Sequence, residues 1–379
     1  MPRKSRNAGH HRSPPVLPEQ VIQWDNVLKG RNPPKELGTL KSSNSLVISR
    51  PSGDFKPGNA LQKIDIGKKV SAWNFRPGQG VIPGLPSTSE GGFSSTERGS
   101  LKSAGDHLNA YCPDWADRIF HPKLSPRNLP RPMRRRDGRR VRPHFIFGPD
   151  SRQPFFPTGY PHQCIGRLFV WNDASNPNWW LSGTATLVGK NVIVTAGHLM
   201  PWGASSWKAL FVPAYFNGSS TLGASVYAYC EAYQGYNPSG RPTAHDYAVL
   251  KLYDNLGDSL GHFGCQTYDD NWNDGNYWTM IGYPGDVANA QQPSMQSGIS
   301  FHDDDEDDDG MELESDNNAS TPGDSGGPYW HYWSDGFPYL VGVNSGGEEE
   351  IQFPTTQFNN IAAGGPALTN LIGWAKATW

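Results

Sequence analysis

SGTATLVGKNVIVTAGH, residues 182–198, is built from two short β-prone runs, SGTATLV and NVIVTA, parted by Gly189 and Lys190 and ending on a histidine. Outward from it, similar runs recur about every ten positions. They are IGRLFVW (165–171), ALFVPAYF (209–216), SVYAYCEAY (225–233), YAVLKLY (247–253), YWTMIGY (277–283) and YLVGV (339–343). Many short strands bounded by turn residues predict an all-β sandwich or barrel from Cys164 onward. The last segment departs from this texture. After Gly364, Gly365 and Pro366, the apolar Leu368, Leu371, Ile372 and Ala375 follow helical spacing, with proline where a helix starts, so one C-terminal helix is expected.

The first part of the chain is different. Residues 1 to about 100 are rich in Pro, Gly, Ser and isolated basic residues without a sustained period, which predicts a largely disordered region. The window 106–120, with Leu108, Tyr111, Cys112, Trp115 and Ile119 at helix-like spacing, is expected to form a short ordered element. A basic run, RPMRRRDGRRVR (131–142), follows. It reads as a solvated linker, as a site open to processing proteases, or as a nucleic-acid-binding arm. The last is disfavoured because no aromatic residue is interleaved for base stacking, and no nucleic-acid partner is expected.

Of the 379 residues, positions 1–150 carry 26 Lys/Arg against 12 Asp/Glu, a formal +14, and positions 151–379 carry 7 against 24, a formal −17. Such a division suggests that the basic part has the acidic part of its own chain as partner. No run of about 18 apolar residues occurs, so a soluble chain with no membrane partner is expected. Residues 1–25 show no apolar signal-peptide core. The four cysteines, Cys112, Cys164, Cys230 and Cys265, are too few and too scattered for a disulfide-built mini-domain or a zinc ribbon, which leaves one or two disulfides open.

Three segments carry the residue types of nucleophilic acyl transfer: TAGH (195–198), HDYAVLKL (245–252) and PGDSGGP (322–328). A serine hydroxyl needs a base to take its proton as it attacks, and a carboxylate must hold the imidazole tautomer and stabilise its charged form. Ser325, His198 and Asp246 supply those three groups. An oxyanion hole needs backbone N–H groups turned toward one point, which favours glycine; Gly323 and Ser325 are the expected donors. Gly326 and Gly327 leave room for the backbone of a substrate.

TAGH, DYAVLKL and GDSGGP resemble the catalytic segments of the trypsin-like serine proteases with the chymotrypsin fold, and VNSGG (343–347) resembles their substrate-backbone-binding strand. IFGPDSR, IGRLF and IGYPGD look most like the glutamyl endopeptidase-like branch. The resemblance covers residues 146–379. It implies two packed antiparallel Greek-key β-barrels with a short C-terminal helix, preceded by a basic N-terminal extension or pro-segment, 1–145. It further implies a serine endopeptidase acting on polypeptides through an acyl-enzyme, as a monomer, with no metal or organic cofactor. Its substrate-binding positions fall on Ala319, Ser320, Asn344, Ser345, Gly346 and Gly347.

Two departures from the family are informative. The common disulfide beside the catalytic histidine is replaced by Leu199 and Gly183, so an apolar contact of Leu199 is expected there. Cys230 and Cys265 flank the Asp246 segment, and either a cross-strand disulfide or two buried thiols is expected. Glutamate-specific relatives place His where Asn344 stands, and a neutral amide does not offset a desolvated carboxylate; strict cleavage after Glu is not expected. The run DDDEDDD (303–309), with Glu348, Glu349 and Glu350, reads as a solvated loop or as an acidic rim that disfavours acidic substrates.

The division of charge suggests a zymogen, with 1–142 docked as an inhibitor, cleavage near Arg136 to Arg142, and a new amino group near His144 to Phe147 placed against Asp324. Two other readings stay open. One is a catalytically silent protease-like binding module, and the other an extracellular carbohydrate-binding protein using Trp179 and Trp180. The resemblance and the sequons at Asn217 and Asn318 suit secretion; Asn318 is expected to be unmodified, being next to the pocket.

Overall fold

The computed structural model describes residues 12–17, 20–21, 46–48, 64–66, 105–116, 118, 150–176, 178–204, 206–224, 226–236, 244–307, 309–352 and 355–379. The basic run 131–142, the proposed new terminus at 144–147 and nearly all of the first 100 residues lie outside this set.

In the N-terminal region, β1 (Leu46–Ile48) pairs with β2 (Ile64–Ile66), and β3 (His107–Leu108) and β4 (Gln153–Pro154) follow. Next come β5 (Ile165–Trp171), β6 (Leu181–Leu187), β7 (Val192–Thr195) and β8 (Lys208–Pro213), the small hairpin β9 (Tyr215–Phe216) and β10 (Ser219–Ser220), then β11 (Ala228–Gly235) and β12 (Ala248–Leu252). Six of these close into a barrel in the order β11-β12-β7-β6-β5-β8.

The barrel strands read as apolar runs because both of their faces are covered. On β5, Leu168 and Val170 join the main core, while Phe169 and Trp171 join a second, aromatic cluster with Leu210, Tyr215, Tyr227, Tyr229 and Tyr283. Successive strand side chains alternate between faces, so a strand between two apolar layers loses the polar alternation of a half-exposed one. Arg167 lies within the aromatic layer, its guanidinium 4.7 Å from the Phe169 ring and 5.3 Å from the Tyr215 ring. Burial lowers its pKa; hydrogen bonds to Ala290 O (2.8 Å) and Ser182 Oγ (3.0 Å) help hold it.

After the short helix α1 (Leu256–Leu260) come β13 (Gly264–Gln266), β14 (Trp278–Gly282), β15 (Ser294–Ile299), β16 (Asp303–Asp307), β17 (Gly310–Ser315), β18 (Pro328–Tyr332), β19 (Pro338–Gln352) and β20 (Thr355–Gly364). They form a ten-stranded sheet along the path β16-β17-β20-β19-β18-β14-β15-β4, with β13 attached at β19 and β3 at β13. Tyr268, Trp272, Trp278, Phe301, Tyr329, Trp333 and Tyr339 make its aromatic core. The architecture fits the chymotrypsin-like double barrel. It is not wholly antiparallel, because β13 runs parallel to β19, with Cys265 opposite Leu340. Helix α2 (Pro366–Thr378) starts on Pro366 as expected and buries Ala367, Leu368, Leu371, Ile372 and Ala375.

Of the window 106–120, the described residues 106–116 and 118 form no helix. β3 pairs with β13, Tyr111 bridges His262, and Trp115 Nε1 donates to Ser259 O (3.0 Å). Cross-strand hydrogen bonds with a sheet edge outweigh weak helical spacing in a stretch that holds Pro113. Further upstream, Val16 N donates to Tyr332 O (3.0 Å), Trp333 Nε1 donates to Ser13 O (3.0 Å), and Arg12 pairs with Asp106 (2.8 Å). These described pieces of the N-terminal region are thus seated on β13, β18 and α1.

None of the four cysteines is in a disulfide. Cys230 lies opposite Leu252 in the closed barrel, whereas Cys265 lies in the second sheet with its thiol 3.5 Å from Thr369 Oγ1. Of the two alternatives, buried thiols are found, because the two flanks of the Asp246 segment belong to different sheets. Burial raises the Cys164, Cys230 and Cys265 thiols, Cys265 to about 12, so they behave as apolar core groups.

Candidate active site

Each member of the proposed constellation sits at the end of a strand. His198 follows β7 in a single 3-10 turn, Asp246 precedes β12, and Ser325 lies in the turn before β18 of the second sheet. β7 and β12 are hydrogen-bonded neighbours, Ala248 pairing with Thr195, which brings His198 and Asp246 together. Asp246 Oδ2 lies 2.6 Å from His198 Nδ1, and its Oδ1 accepts from His198 N at 2.7 Å. The carboxylate therefore fixes both the ring and the backbone carrying it. Asp246 is fully buried, while the His198 side chain keeps 35% of its surface exposed.

Ser345 Oγ also donates to Asp246 Oδ2 (2.5 Å). The sequence places Ser345 among the substrate-binding positions, and its hydroxyl holds the carboxylate. Gly346 and Gly347 follow a bulge in β19 and pair with Ile361 and Asn360 of β20.

The Ser325 turn is bound to the closed barrel through Thr184. Thr184 N donates to Ser325 O (2.8 Å), Thr184 Oγ1 donates to Gly323 O (2.9 Å), and Thr195 Oγ1 donates to Thr184 O (2.6 Å). Gly326 has φ +85°, and a Cβ there would overlap Thr184 O and Thr195 Oγ1. The turn approaches the backbone just ahead of His198 too closely for any side chain. Around Ser325, the N–H groups of Asp324, Gly326 and Gly327 are donated to Thr321 O, Asn344 O and Asp324 O. Those of Gly323, at φ +108°, and Ser325 find no acceptor among the described residues. Ser325 is buried and Gly323 partly so, and these two N–H groups of one turn are left open.

Gly183 and Leu199 are in direct contact, as expected. A Cβ on Gly183 would overlap both the Leu199 side chain and Ser325 O. Gly183→Ala is expected to cost about 1–3 kcal/mol by overpacking, a Tm drop on the order of 3–10 °C by calorimetry.

The pocket positions are buried and uncharged. Asn344 Nδ2 donates to Ser320 Oγ (3.0 Å), Tyr329 OH donates to Asn344 Oδ1 (3.0 Å), and Asn318 Nδ2 donates to Tyr329 OH (2.5 Å). Ala319 N donates to Gln296 Oε1 (2.8 Å). The Asn318 amide is thus buried inside the protein, in keeping with an unmodified sequon. Of the run 303–309, residues 303–307 form strand β16 rather than a solvated loop, and Asp309 Oδ1 lies 3.1 Å from His245 Nε2, one residue from Asp246. Trp179 is packed in the aromatic cluster beside Phe169, unavailable to a sugar, whereas Trp180 is exposed.

A cluster missed by the sequence reading lies behind Ser325. Arg152, Asp150, Asp286, Thr321 and Asp324 meet there, and Arg152 and Asp324 are wholly buried. Burial alone would lower Arg152, but the charge of Asp324 and the hydrogen bonds Arg152 donates to Asp150 and Asp286 raise it above its ordinary value. Asp324 is pushed up to about 7, chiefly by burial and against the pull of Arg152 and the bond from Thr321 N; Asp286 and Asp150 add to the rise. Three carboxyls thus meet one guanidinium, and Asp324 is the most buried of them.

The Asp324 carboxyl is raised from about 3.9 in the unfolded chain. Its contribution to stability is therefore full below about pH 4 and is lost as pH rises through about 7. The stability advantage of the wild type over Asp324→Asn is expected to shrink between pH 4 and 7; a constant difference in Tm across that range contradicts this.

The Trypsin family model matches residues 174–361, which include all three motif segments and leave out Arg152 and β5. Among solved structures, the chain is similar to a Glu endopeptidase in complex with MPD, with 21% identity, TM-score 0.45, and 62% of this chain and 100% of that one covered. It is also similar to the protease Anisep from Arthrobacter nicotinovorans, with 22% identity, TM-score 0.43, and 60% and 100% coverage. No curated protein matches it. Residues 174–361, which carry this motif order on a closed barrel and its partner sheet, match the Trypsin family model.

Proposed function

We propose that the protein is a serine endopeptidase in which Ser325 attacks the scissile carbonyl and His198 takes the proton of its hydroxyl. His198 then returns that proton to the leaving amine, releasing the first product and an acyl-enzyme. Water, activated by the same imidazole, opens the ester and regenerates Ser325. Asp246 holds the imidazole with Nδ1 protonated and stabilises its charged form. The N–H groups of Gly323 and Ser325 receive the oxyanion. The observation that carries this reading is the chain of hydrogen bonds from Ser345 through Asp246 to His198, together with a Ser325 turn packed on Thr184 and Thr195 that has two undonated N–H groups.

The residue before the cut is proposed to be uncharged. Ser320, Asn344 and Tyr329 offer amide and hydroxyl groups already bonded to one another, without a cation for a substrate carboxylate or an anion for a lysine. Desolvating an unmatched charge is costly. The acidic strand β16, continuing to Asp309 beside the Asp246 segment, adds a field that disfavours acidic peptides.

The basic N-terminal region is proposed as a pro-segment, held by charge and shed after cleavage in the run 131–142. Cleavage of a peptide library by the full chain, before and after limited proteolysis, tests both ideas by mass spectrometry. Cuts after neutral residues, faster after processing, are expected. Cuts confined to positions after Glu contradict the pocket reading, and equal rates in the two forms contradict the pro-segment reading.

A further inference from the structure

Two segments singled out in the sequence, IFGPDSR and IGYPGD, take no part in bond making, yet they meet directly behind the Ser325 turn. The first supplies Asp150 and Arg152 and the second Asp286. Arg152 binds Asp150 through Nε (3.1 Å) and NH2 (3.1 Å), and Asp286 through NH2 (2.7 Å) and NH1 (3.1 Å). NH1 also reaches Thr321 Oγ1 (2.9 Å) and Asp324 Oδ2 (3.5 Å). Thr321 Oγ1 in turn donates to Asp286 Oδ1 (2.5 Å). The guanidinium, with no solvent exposure, is thus held by two forked carboxylates and directed at both ends of the segment Thr321–Asp324.

That segment sets the direction of the two open N–H groups. Thr321 N donates to Asp324 Oδ2 (2.9 Å) and Asp324 N to Thr321 O (3.0 Å), closing a tight turn. Gly285 N, from the IGYPGD loop, donates to Pro322 O (2.8 Å). Arg152 lies just ahead of β4, which is joined to β15 through Pro154 opposite Ser294. The anchor is therefore part of the second sheet's own framework.

We propose that Arg152 is a positioning residue for the oxyanion turn, holding Thr321 and Asp324 so that the N–H groups of Gly323 and Ser325 converge on one point. The charge that a newly freed α-amino group would bring to Asp324 is then supplied from inside the chain. This replaces the amino-group contact expected for a terminus near His144 to Phe147, because a buried cation already stands against that carboxyl. Arg152 lies downstream of the basic run and keeps this role in both the uncut and the processed forms. A lysine at 152 brings charge without the fork that spans two carboxylates.

The inference rests on the serine endopeptidase reading, and its test separates the two. Wild type, Arg152→Met, Arg152→Lys and the milder Thr321→Val are assayed as full chains before and after limited cleavage within 131–142. The temperature is kept well below each variant's own Tm, and rates are normalised to the folded fraction. Arg152→Met is expected to lower kcat by about 10²–10³-fold, the range for losing an oxyanion donor, with KM changed by less than about threefold. Arg152→Lys should restore part of that loss, and Thr321→Val should lose on the order of tenfold in kcat with a near-wild-type Tm. Affinity for a peptide boronate, which forms a tetrahedral adduct on the serine, should fall in parallel with kcat, while affinity for a product peptide stays constant. If Arg152→Met does not fold, Thr321→Val alone decides. Wild-type kcat and boronate affinity in the folded variants overturn the proposal and leave the endopeptidase reading intact. A wild type inert in both forms, with Ser325 unmodified by the boronate, overturns the reading beneath it.

Discussion

Replacing Ser325 with alanine is expected to reduce kcat by about 10⁶-fold, the loss seen when the nucleophile of such a triad is removed. The hydroxyl makes no hydrogen bond to another described residue, whereas the backbone around it is held through Thr184 and Asn344. Truncation therefore removes the attacking atom without disturbing the turn, and Tm should stay within about 2 °C of the wild type. The two open N–H groups remain, so affinity for a peptide substrate should persist. Matched kinetics and calorimetry check this pair of outcomes. A rate loss below about 10³-fold, or one accompanied by unfolding, counts against Ser325 as nucleophile.

The second large effect is expected at Asp246. Its carboxylate accepts from His198 N, meets His198 Nδ1 and accepts from Ser345 Oγ, all from a fully buried position. Asparagine has nearly the same shape but turns an NH₂ toward one of these donors. The neighbouring imidazole then rotates or takes the wrong tautomer, leaving Nε2 protonated and unable to act as base. Asp246→Asn should lower kcat by about 10⁴-fold with a smaller change in KM. Ser345→Ala removes one of the three contacts and should cost far less. Single-turnover rates give the comparison. Equal losses in the two variants contradict the division of labour between Asp246 and Ser345.

The parts that were legible in the sequence are those whose chemistry is local. TAGH, HDYAVLKL and PGDSGGP place their functional residue types in short segments at strand ends, and the structure brings His198 and Asp246 together through the β7–β12 pairing. Strand texture and the Pro366 helix start are equally local signals. The Gly183–Leu199 contact was legible because one position could be read against the other.

What escaped the reading depends on distance along the chain. Arg152 and Asp286 are 134 residues apart, and nothing within either heptad or hexad reveals that they share one buried site. Ser345 stands in a segment that reads as substrate-binding, and only the fold shows its hydroxyl turned toward Asp246. The window 106–120 has apolar spacing compatible with a helix, yet His107 and Leu108 within it pair as a strand with β13. Cys230 and Cys265 flank the same segment in sequence but enter different sheets.

The reading of the site as a working serine endopeptidase is tested most directly by active-site titration of the processed full chain with a fluorophosphonate, with the label located by peptide mapping. One label per folded molecule, confined to Ser325, absent from Ser325→Ala and lost in step with peptidase activity, is the predicted result. A folded wild-type chain that takes up no label at Ser325, or that cleaves peptides while Ser325 stays unmodified, contradicts it.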